Sequence, residues 1–251
     1  MKQDWLLIHD SPLPGSVNMA RDLQIMEKVA EGSLAPVLRF YSWSPPALSL
    51  GRNQRAEEVA DLEACSRLGI DVVQRPSGGR AVLHYRELTY SIAVKQDYPG
   101  LPWGVLDTYC LFSRGIVEGL RSLNVDAFLA PEENHSAKID PGACFDTASA
   151  FEVYVQGKKV VGSAQLRRGK AVLQHGSILF QLPLDLYSRV LKKQPGAGWQ
   201  EYLAALEQKA AGLEDLGYRV SEKALAAAVR DGLGGILGAR FTANHEGLNW
   251  S

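Results

Sequence analysis

The sequence predicts an α+β protein with an extensive central mixed or antiparallel sheet, flanked by helices and followed by a small helical C-terminal tail. Three observations carry this. Strand-like and helix-like runs alternate through the first 180 or so residues, three consecutive strand-like runs fill residues 151–180, and helical patterns dominate from Leu186 onward. No solenoid-type repeat and no low-complexity tract interrupts the pattern. A chain of 251 residues with 46% hydrophobic composition can bury a substantial core. We divide it into a main domain over residues 1–185 and a helical portion over residues 186–251 packed on that domain.

Each element has a local reason. After Pro14-Gly15, Ser16 is placed to cap a helix whose apolar residues Met19, Leu23, Met26 and Ala30 recur at spacings of three and four, ending near Gly32. Residues 37–50 are rich in aromatic and aliphatic side chains but broken by Pro45-Pro46, which predicts two short strands around a rigid turn. Residues 56–68 read as a second helix closed by Gly69. Two strands, Ile70 to Arg75 and Ala81 to Val94, flank the turn Pro76-Ser77-Gly78-Gly79 and are expected to pair as a hairpin. Leu106, Tyr109, Ser113, Ile116, Leu120 and Leu123 mark a long amphipathic helix. Residues 131–146 are polar, without periodicity, and long enough to suggest a functional loop. Phe151 to Val155, Lys159 to Leu166 and Ala171 to Phe180 then form a β-meander, joined by turns at Gln156-Gly157 and Arg168-Gly169. In the tail, Ser221 is suited to cap the Ala-rich run Glu222 to Leu233.

Charge and cysteine content narrow the classes. The 27 Lys and Arg nearly balance 28 Asp and Glu, so no global field draws the chain to nucleic acid or an anionic membrane. No apolar stretch approaches the ~20 residues of a membrane span, and the amino-terminal apolar run is too short for a signal peptide, which makes the cytoplasm the expected location. Cys65, Cys110 and Cys144 lie far apart without a C-x-x-C pair, so neither a disulfide framework nor a thiolate metal site is expected. No His-carboxylate spacing supports a metal either.

Four segments can carry chemistry. Cys144 stands in Pro-Gly-Ala-Cys-Phe-Asp between the polar loop and the meander, where a thiol can sit at a rim, whereas Cys65 and Cys110 fall within helical patterns. Lys159 lies on the central strand of the meander, within one hairpin of Cys144, and an ammonium nearby would favour thiolate over thiol. Arg75, Ser77, Gly78, Gly79 and Arg80 form a segment in which two arginines flank glycines that permit close approach to a phosphate-bearing ligand, although a simple turn explains Gly-Gly equally well. His84 and His175 lie on predicted strands, where they read as orienting or core histidines rather than general bases. Backbone amides near the Gly-rich turn or near Gly162-Ser163 are candidate oxyanion donors.

Several segments, in order, resemble the biotin/lipoate ligase and transferase superfamily: Ser49-Leu50-Gly51-Arg52-Asn53-Gln54, Arg75-Pro76-Ser77-Gly78-Gly79-Arg80-Ala81-Val82-Leu83-His84, Glu87-Leu88-Thr89-Tyr90-Ser91, Gly162-Ser163-Ala164-Gln165 and Gln174-His175-Gly176-Ser177-Ile178-Leu179. Within it, Ala143-Cys144-Phe145-Asp146 followed by Lys159-Val160-Val161-Gly162 is similar to octanoyl transferases of the LipM type. The resemblance implies a biotin/lipoate ligase-like catalytic domain and an acyltransferase without cofactor. It implies that Cys144 takes octanoate from octanoyl-acyl carrier protein as a thioester, that Lys159 lowers the thiol pKa, and that a lysine of glycine-cleavage H protein or a lipoyl domain receives the acyl group. Arg75, Ser77, Gly78, Gly79, Arg80, His84, Gly162, Ser163, Ala164 and His175 are then the expected substrate-binding residues. Tyr85 stands where relatives commonly carry Asp, and Gly51-Arg52-Asn53-Gln54 is closer to the ATP-dependent ligases. The alternatives are such a ligase, an amidotransferase drawing octanoate from H protein, and a non-catalytic sensor of acylated domains.

Overall fold

An eight-stranded mixed sheet organises the chain, which the computed structural model describes for residues 3–130, 151–192 and 198–243. Its strands are β1 (Gln3–His9), β2 (Val37–Tyr41), β6 (Glu87–Lys95), β7 (Ala127–Leu129), β8 (Val153–Val155), β9 (Lys158–Arg168), β10 (Ala171–Leu179) and β11 (Ala239–Ala243). They lie in the order β11-β1-β2-β6-β10-β9-β8-β7. A smaller sheet holds β3 (Ala47–Leu50), β4 (Asp71–Gln74) and β5 (Val82–His84) in the order β4-β3-β5. The helices are α1 (Gly15–Glu31), α2 (Ala56–Val59), α3 (Leu62–Arg67), α4 (Val105–Ser122), α5 (Leu184–Val190), α6 (Trp199–Lys209) and α7 (Glu222–Leu237).

Strand alternation decides what each face of the large sheet carries. On β6, Leu88, Tyr90, Ile92 and Val94 enter the largest core with Phe112 and Ile116 of α4 and Leu225 and Val229 of α7. Ala93 points the other way, onto Ile25, Met26 and Val29 of α1. On that α1 face the polar residues Thr89, Ser91, His175 and Ser177 are also buried. One end of the α1 face is thus an ordinary core and the other a buried polar patch. The small sheet covers that patch, with its own core of Leu48, Leu50 and Leu83 against Tyr187, Val190 and Leu206.

Several expectations hold: α1 ends on Gly32 in the left-handed conformation, α4 spans the amphipathic run, Ser221 caps α7, and β8, β9 and β10 form the meander. Four local expectations fail for identifiable reasons. The strands around Pro76-Ser77-Gly78-Gly79 do not pair with each other; both flank β3, parallel on one side and antiparallel on the other. The intervening loop instead wraps the Arg75 guanidinium, which donates to the carbonyls of Ser49, Gly78 and Arg80. The run from Ala81 to Val94 breaks at Arg86, whose φ is 49°, so its first part joins the small sheet and its second the large one. The helix expected over 56–68 is two short ones, because Asp61 interrupts it and its carboxylate caps α3 by accepting from the Ala64 amide. Ser16 does not cap α1: the helix starts at Gly15, whose amide donates to the Asp71 carboxylate of β4. After residue 185, β11 follows the three helices and extends the large sheet parallel to β1.

Candidate active site

A pocket opens on the α1 face where the small sheet meets β9 and β10. Met19, Trp43 and Val82 give it an apolar wall. Its floor follows from strand pairing. Gly162 lies opposite Ser177 and Ala164 opposite His175, and directly opposed residues of antiparallel strands share a face. The smallest side chains of β9 therefore leave space beside the polar side chains of β10. Gly176 is required between them: a Cβ there would lie 2.6 Å from Ser163 Oγ and 2.7 Å from the Gly162 carbonyl. Ser163 Oγ is in turn 2.7 Å from the Tyr90 hydroxyl.

Two histidines meet this pocket, each with a carboxylate at Nδ1 and a serine at Nε2. His84 Nδ1 is 2.6 Å from Glu87 Oε1, and Nε2 is 2.7 Å from Ser49 Oγ. The same carboxylate oxygen accepts from Thr89 and Ser177 at 2.6 and 2.7 Å. Trp43 stacks on the His84 ring at 3.9 Å and donates its indole N–H to Thr89.

His175 Nδ1 is 3.2 Å from Asp22 Oδ2, and Nε2 is 2.6 Å from Ser77 Oγ. Asp22 is fully buried on α1 and also accepts from Arg39 at 2.7 Å, Tyr41 at 2.9 Å and Ser91 at 2.7 Å. Burial opposes its ionisation, but the Arg39 charge and the hydrogen bonds from His175 and Ser91 outweigh it and hold the carboxyl at about 2. Arg39 also bonds Asp10, whose other oxygen meets Arg21, so the cluster pairs two guanidiniums with two carboxylates.

The Gly-rich segment edges the pocket. Gly79 has φ 93°, open to glycine at no cost, and the Gly51 backbone lies so close to the Gly79 carbonyl that a side chain at 51 has no room. Arg75 lines the pocket while its guanidinium ties the loop to β3, and Arg80 contributes its carbonyl to that tie. Six of the ten expected substrate-binding residues, Arg75, His84, Gly162, Ser163, Ala164 and His175, line the pocket. Ser77, Gly78, Gly79 and Arg80 form the loop beside it.

Lys159 is buried, with Nζ 2.6 Å from Glu152 Oε1. Cys144 lies outside the described residues, as do residues 131–150 generally. Burial pushes the Cys65 and Cys110 thiols up, which makes both poor nucleophiles. Among the described residues no group of His, Cys, Asp and Glu is placed to hold a metal ion, and no helix is long and apolar enough to cross a membrane.

Sequence reasoning passed over Asp22, Arg39 and Glu152, and it quoted Ser49, Glu87 and Ser177 within motifs without giving them a role. Asp22 had a usable signal, since a carboxylate within the Met19, Leu23, Met26 stripe of an amphipathic helix must find a buried partner. The profile of the lipoyl protein ligase A/B catalytic domain matches residues 14–233, spanning every element that builds this pocket. The chain belongs to that family. Within the family, octanoyltransferase LipM of Kyrpidia tusciae is 42% identical over 244 residues, covering 95% of this chain and 89% of that protein. Octanoyltransferase LipM of Symbiobacterium thermophilum is 39% identical, covering 96% and 89%. Among solved structures, lipoate-protein ligase A bound with ATP superposes with a TM-score of 0.75 at 26% identity, covering 98% of this chain and 90% of that one. The lipoate ligase fold is thus the fold of this chain.

Proposed function

We propose that this chain is a cytoplasmic octanoyltransferase of protein lipoylation. It takes octanoate from octanoyl-acyl carrier protein onto Cys144 and passes it to a lysine of glycine-cleavage H protein or a lipoyl domain. The observation that carries the reading is the pocket, whose floor is the Gly162-Ser163-Ala164 segment, in a chain 42% identical over 95% of its length to an octanoyltransferase. Its apolar wall suits a saturated chain, and burying the seven carbons beyond an octanoyl carbonyl supplies on the order of 5 kcal/mol at ~0.8 kcal/mol per CH₂.

The chemistry has two steps. The Cys144 thiolate attacks the donor thioester, a new C–S bond forms, the old one breaks, and the carrier leaves as a thiolate that takes up the proton Cys144 lost on ionising. The acceptor amine then attacks the Cys144 thioester, giving an amide and returning the thiol. The first exchange is nearly neutral in free energy, and the amide drives the second. Lys159 is the cation we assign to favouring the Cys144 thiolate; its contact with Glu152 fixes the ammonium in place and shares its charge.

Incubation with octanoyl-acyl carrier protein and no ATP is expected to add one octanoyl mass at Cys144, and Cys144→Ser is expected to lose it. Absence of the adduct on the wild type, or its equal appearance on Cys144→Ser, would overturn the reading. The fold shared with an ATP-bound ligase makes one rival concrete: labelling of the acceptor only with free octanoate and ATP identifies a ligase. Faster charging from octanoyl-H protein than from the acyl carrier protein identifies an amidotransferase.

A further inference from the structure

The loop between β6 and α4 divides its apolar residues between core and water. Tyr98 and Leu101 turn inward and join the largest core, whereas Trp103, Val105 and Leu106 are 72%, 54% and 51% exposed. Among the described residues these are the three most exposed large apolar side chains, and they fall within four consecutive positions. Single exposed apolar residues are ordinary; a contiguous group headed by a tryptophan marks an interaction surface.

The patch is held in shape. The Arg167 guanidinium on β9 donates to the Trp103 carbonyl at 2.7 Å, the Gly104 carbonyl at 2.9 Å and the Thr108 hydroxyl at 2.8 Å. That hydroxyl is itself 2.8 Å from the Pro102 carbonyl. A surface fixed in this way loses little conformational freedom when a partner docks.

Its rim is basic. The partners of Arg167 are carbonyls, a hydroxyl and the Gln165 amide oxygen, so its charge meets no carboxylate among them. The β9-β10 turn adds Arg168 and Lys170, and Gln96 ties that turn to the loop by bonding the Gly169 and Lys170 carbonyls. Arg168 approaches Glu27 only to 3.8 Å, with both side chains mostly exposed. The acidic residues of the loop and the first turn of α4 are Asp97 and Asp107, and the Asp107 carboxylate folds back over Gly104.

We propose that the Trp103–Leu106 patch, with its rim of Arg167, Arg168 and Lys170, is the docking surface for an acidic carrier protein that delivers its acyl thioester on a phosphopantetheine arm. Rim charge selects a partner of opposite sign and speeds its encounter. Reach selects the donor over the acceptor. Arg167 lies four residues beyond the pocket-lining Ser163 on β9, about 13 Å at strand spacing. A phosphopantetheine arm spans that distance from a carrier seated on the patch; the four-carbon stem of a lysine does not.

The inference rests on the octanoyl-transfer reading for the identity of the carrier, and two measurements separate them. Wild type, Trp103→Ala/Leu106→Ser and Arg168→Glu/Lys170→Glu are titrated calorimetrically with acyl carrier protein bearing an octanoyl amide, which cannot be transferred. Both variants alter exposed side chains, and Trp103→Ala keeps the carbonyl that Arg167 holds, so both are expected to unfold at the wild-type temperature. The apolar variant is expected to bind the carrier at least about 10-fold more weakly. Charge reversal is expected to weaken binding as well and to flatten its dependence on salt. Binding of a lipoyl domain is expected to be unchanged. Transfer to a lipoyl domain is then followed with octanoyl-acyl carrier protein and with octanoyl-coenzyme A, which has the same arm but no protein face. The apolar variant is expected to raise KM for the first donor alone. Wild-type affinity of the variants for the carrier overturns the proposal, as does a loss confined to the lipoyl domain, which would make the acceptor the occupant, or an equal loss with octanoyl-coenzyme A. If the wild type transfers octanoate from neither donor, the transferase reading fails, and the titration alone decides the docking surface: no carrier binding, or equal binding by wild type and variants, overturns it.

Discussion

The two histidine-carboxylate pairs at the pocket share an order of atoms and differ in what neutralises the carboxylate. Asp22 belongs to an ion cluster with Arg39, Asp10 and Arg21, and it is anchored from α1, β2 and β6 at once. Glu87 sits among hydroxyls beneath an indole. Identical local geometry therefore does not fix a role. The carboxylates differ in their surroundings: a guanidinium meets Asp22, whereas hydroxyls and a histidine meet Glu87.

The largest expected effect breaks the Asp22 side. Arg39→Met removes the guanidinium and leaves a fully buried carboxylate without its matching charge, which costs about 3–5 kcal/mol. Glu87→Gln retains an acceptor oxygen and removes a charge rather than stranding one, so it is expected to cost less than half as much. Urea unfolding of both variants measures the difference. A cost for Arg39→Met below that of Glu87→Gln would erase the contrast between the two pairs.

A pH titration sharpens it. The Asp22 carboxyl is lowered from 3.8 to about 2 in the folded chain. A depressed folded pKa means the stabilisation is complete above the unfolded value and disappears as pH falls from about 4 to about 2, a loss of about 2 kcal/mol. The unfolding free energy of wild type is expected to drop by that amount across this window. Asp22→Asn, already destabilised, is expected to lack this component of the drop. Parallel curves for the two proteins would assign the acid sensitivity to other carboxylates.

A comparable or slightly smaller effect is expected at the floor shared by both pairs. Gly176→Ala places a Cβ 2.6 Å from Ser163 Oγ and 2.7 Å from the Gly162 carbonyl, in backbone paired on both sides. Overpacking of this kind costs about 1–3 kcal/mol. Because the strand must shift away from β9, the transfer assay is expected to show a raised KM for the acyl donor. An unchanged KM would mean that the floor does not contact the acyl chain.

Much of this fold was legible from periodicity alone. The meander could be read because β9 and β10 are consecutive strands joined by a tight turn, so local pattern and pairing coincide. The small sheet could not, because β3 pairs with β4 and β5 across long sequence separations while Arg75 fills the turn that seemed to join them. The same distinction applies to the site. His84, Gly162, Ser163 and His175 stood in recognisable motifs and line the pocket. Asp22, Arg39 and Glu152 act through partners that pattern does not name. Asp22 reaches His175 across 153 positions of sequence, a contact only the folded chain creates.

The smallest expected effect lies on the Glu87 side. Trp43 does two things there: its ring stacks on His84, and its indole N–H donates to Thr89, whose hydroxyl in turn donates to Glu87. Trp43→Phe keeps an aromatic ring over His84 and removes the donor. Thr89 retains its own bond to the carboxylate, so the loss is that of one hydrogen bond, about 1 kcal/mol in urea unfolding. Thr89→Val removes both bonds, and combining it with Trp43→Phe is expected to add almost nothing further, since the indole then has no hydroxyl left to lose. Strict additivity would mean that the indole stabilises the pocket by packing alone. In that case His84 is held by Glu87 and Ser49 without help from the chain through Thr89, and the two histidine pairs differ only in the Arg39 cluster.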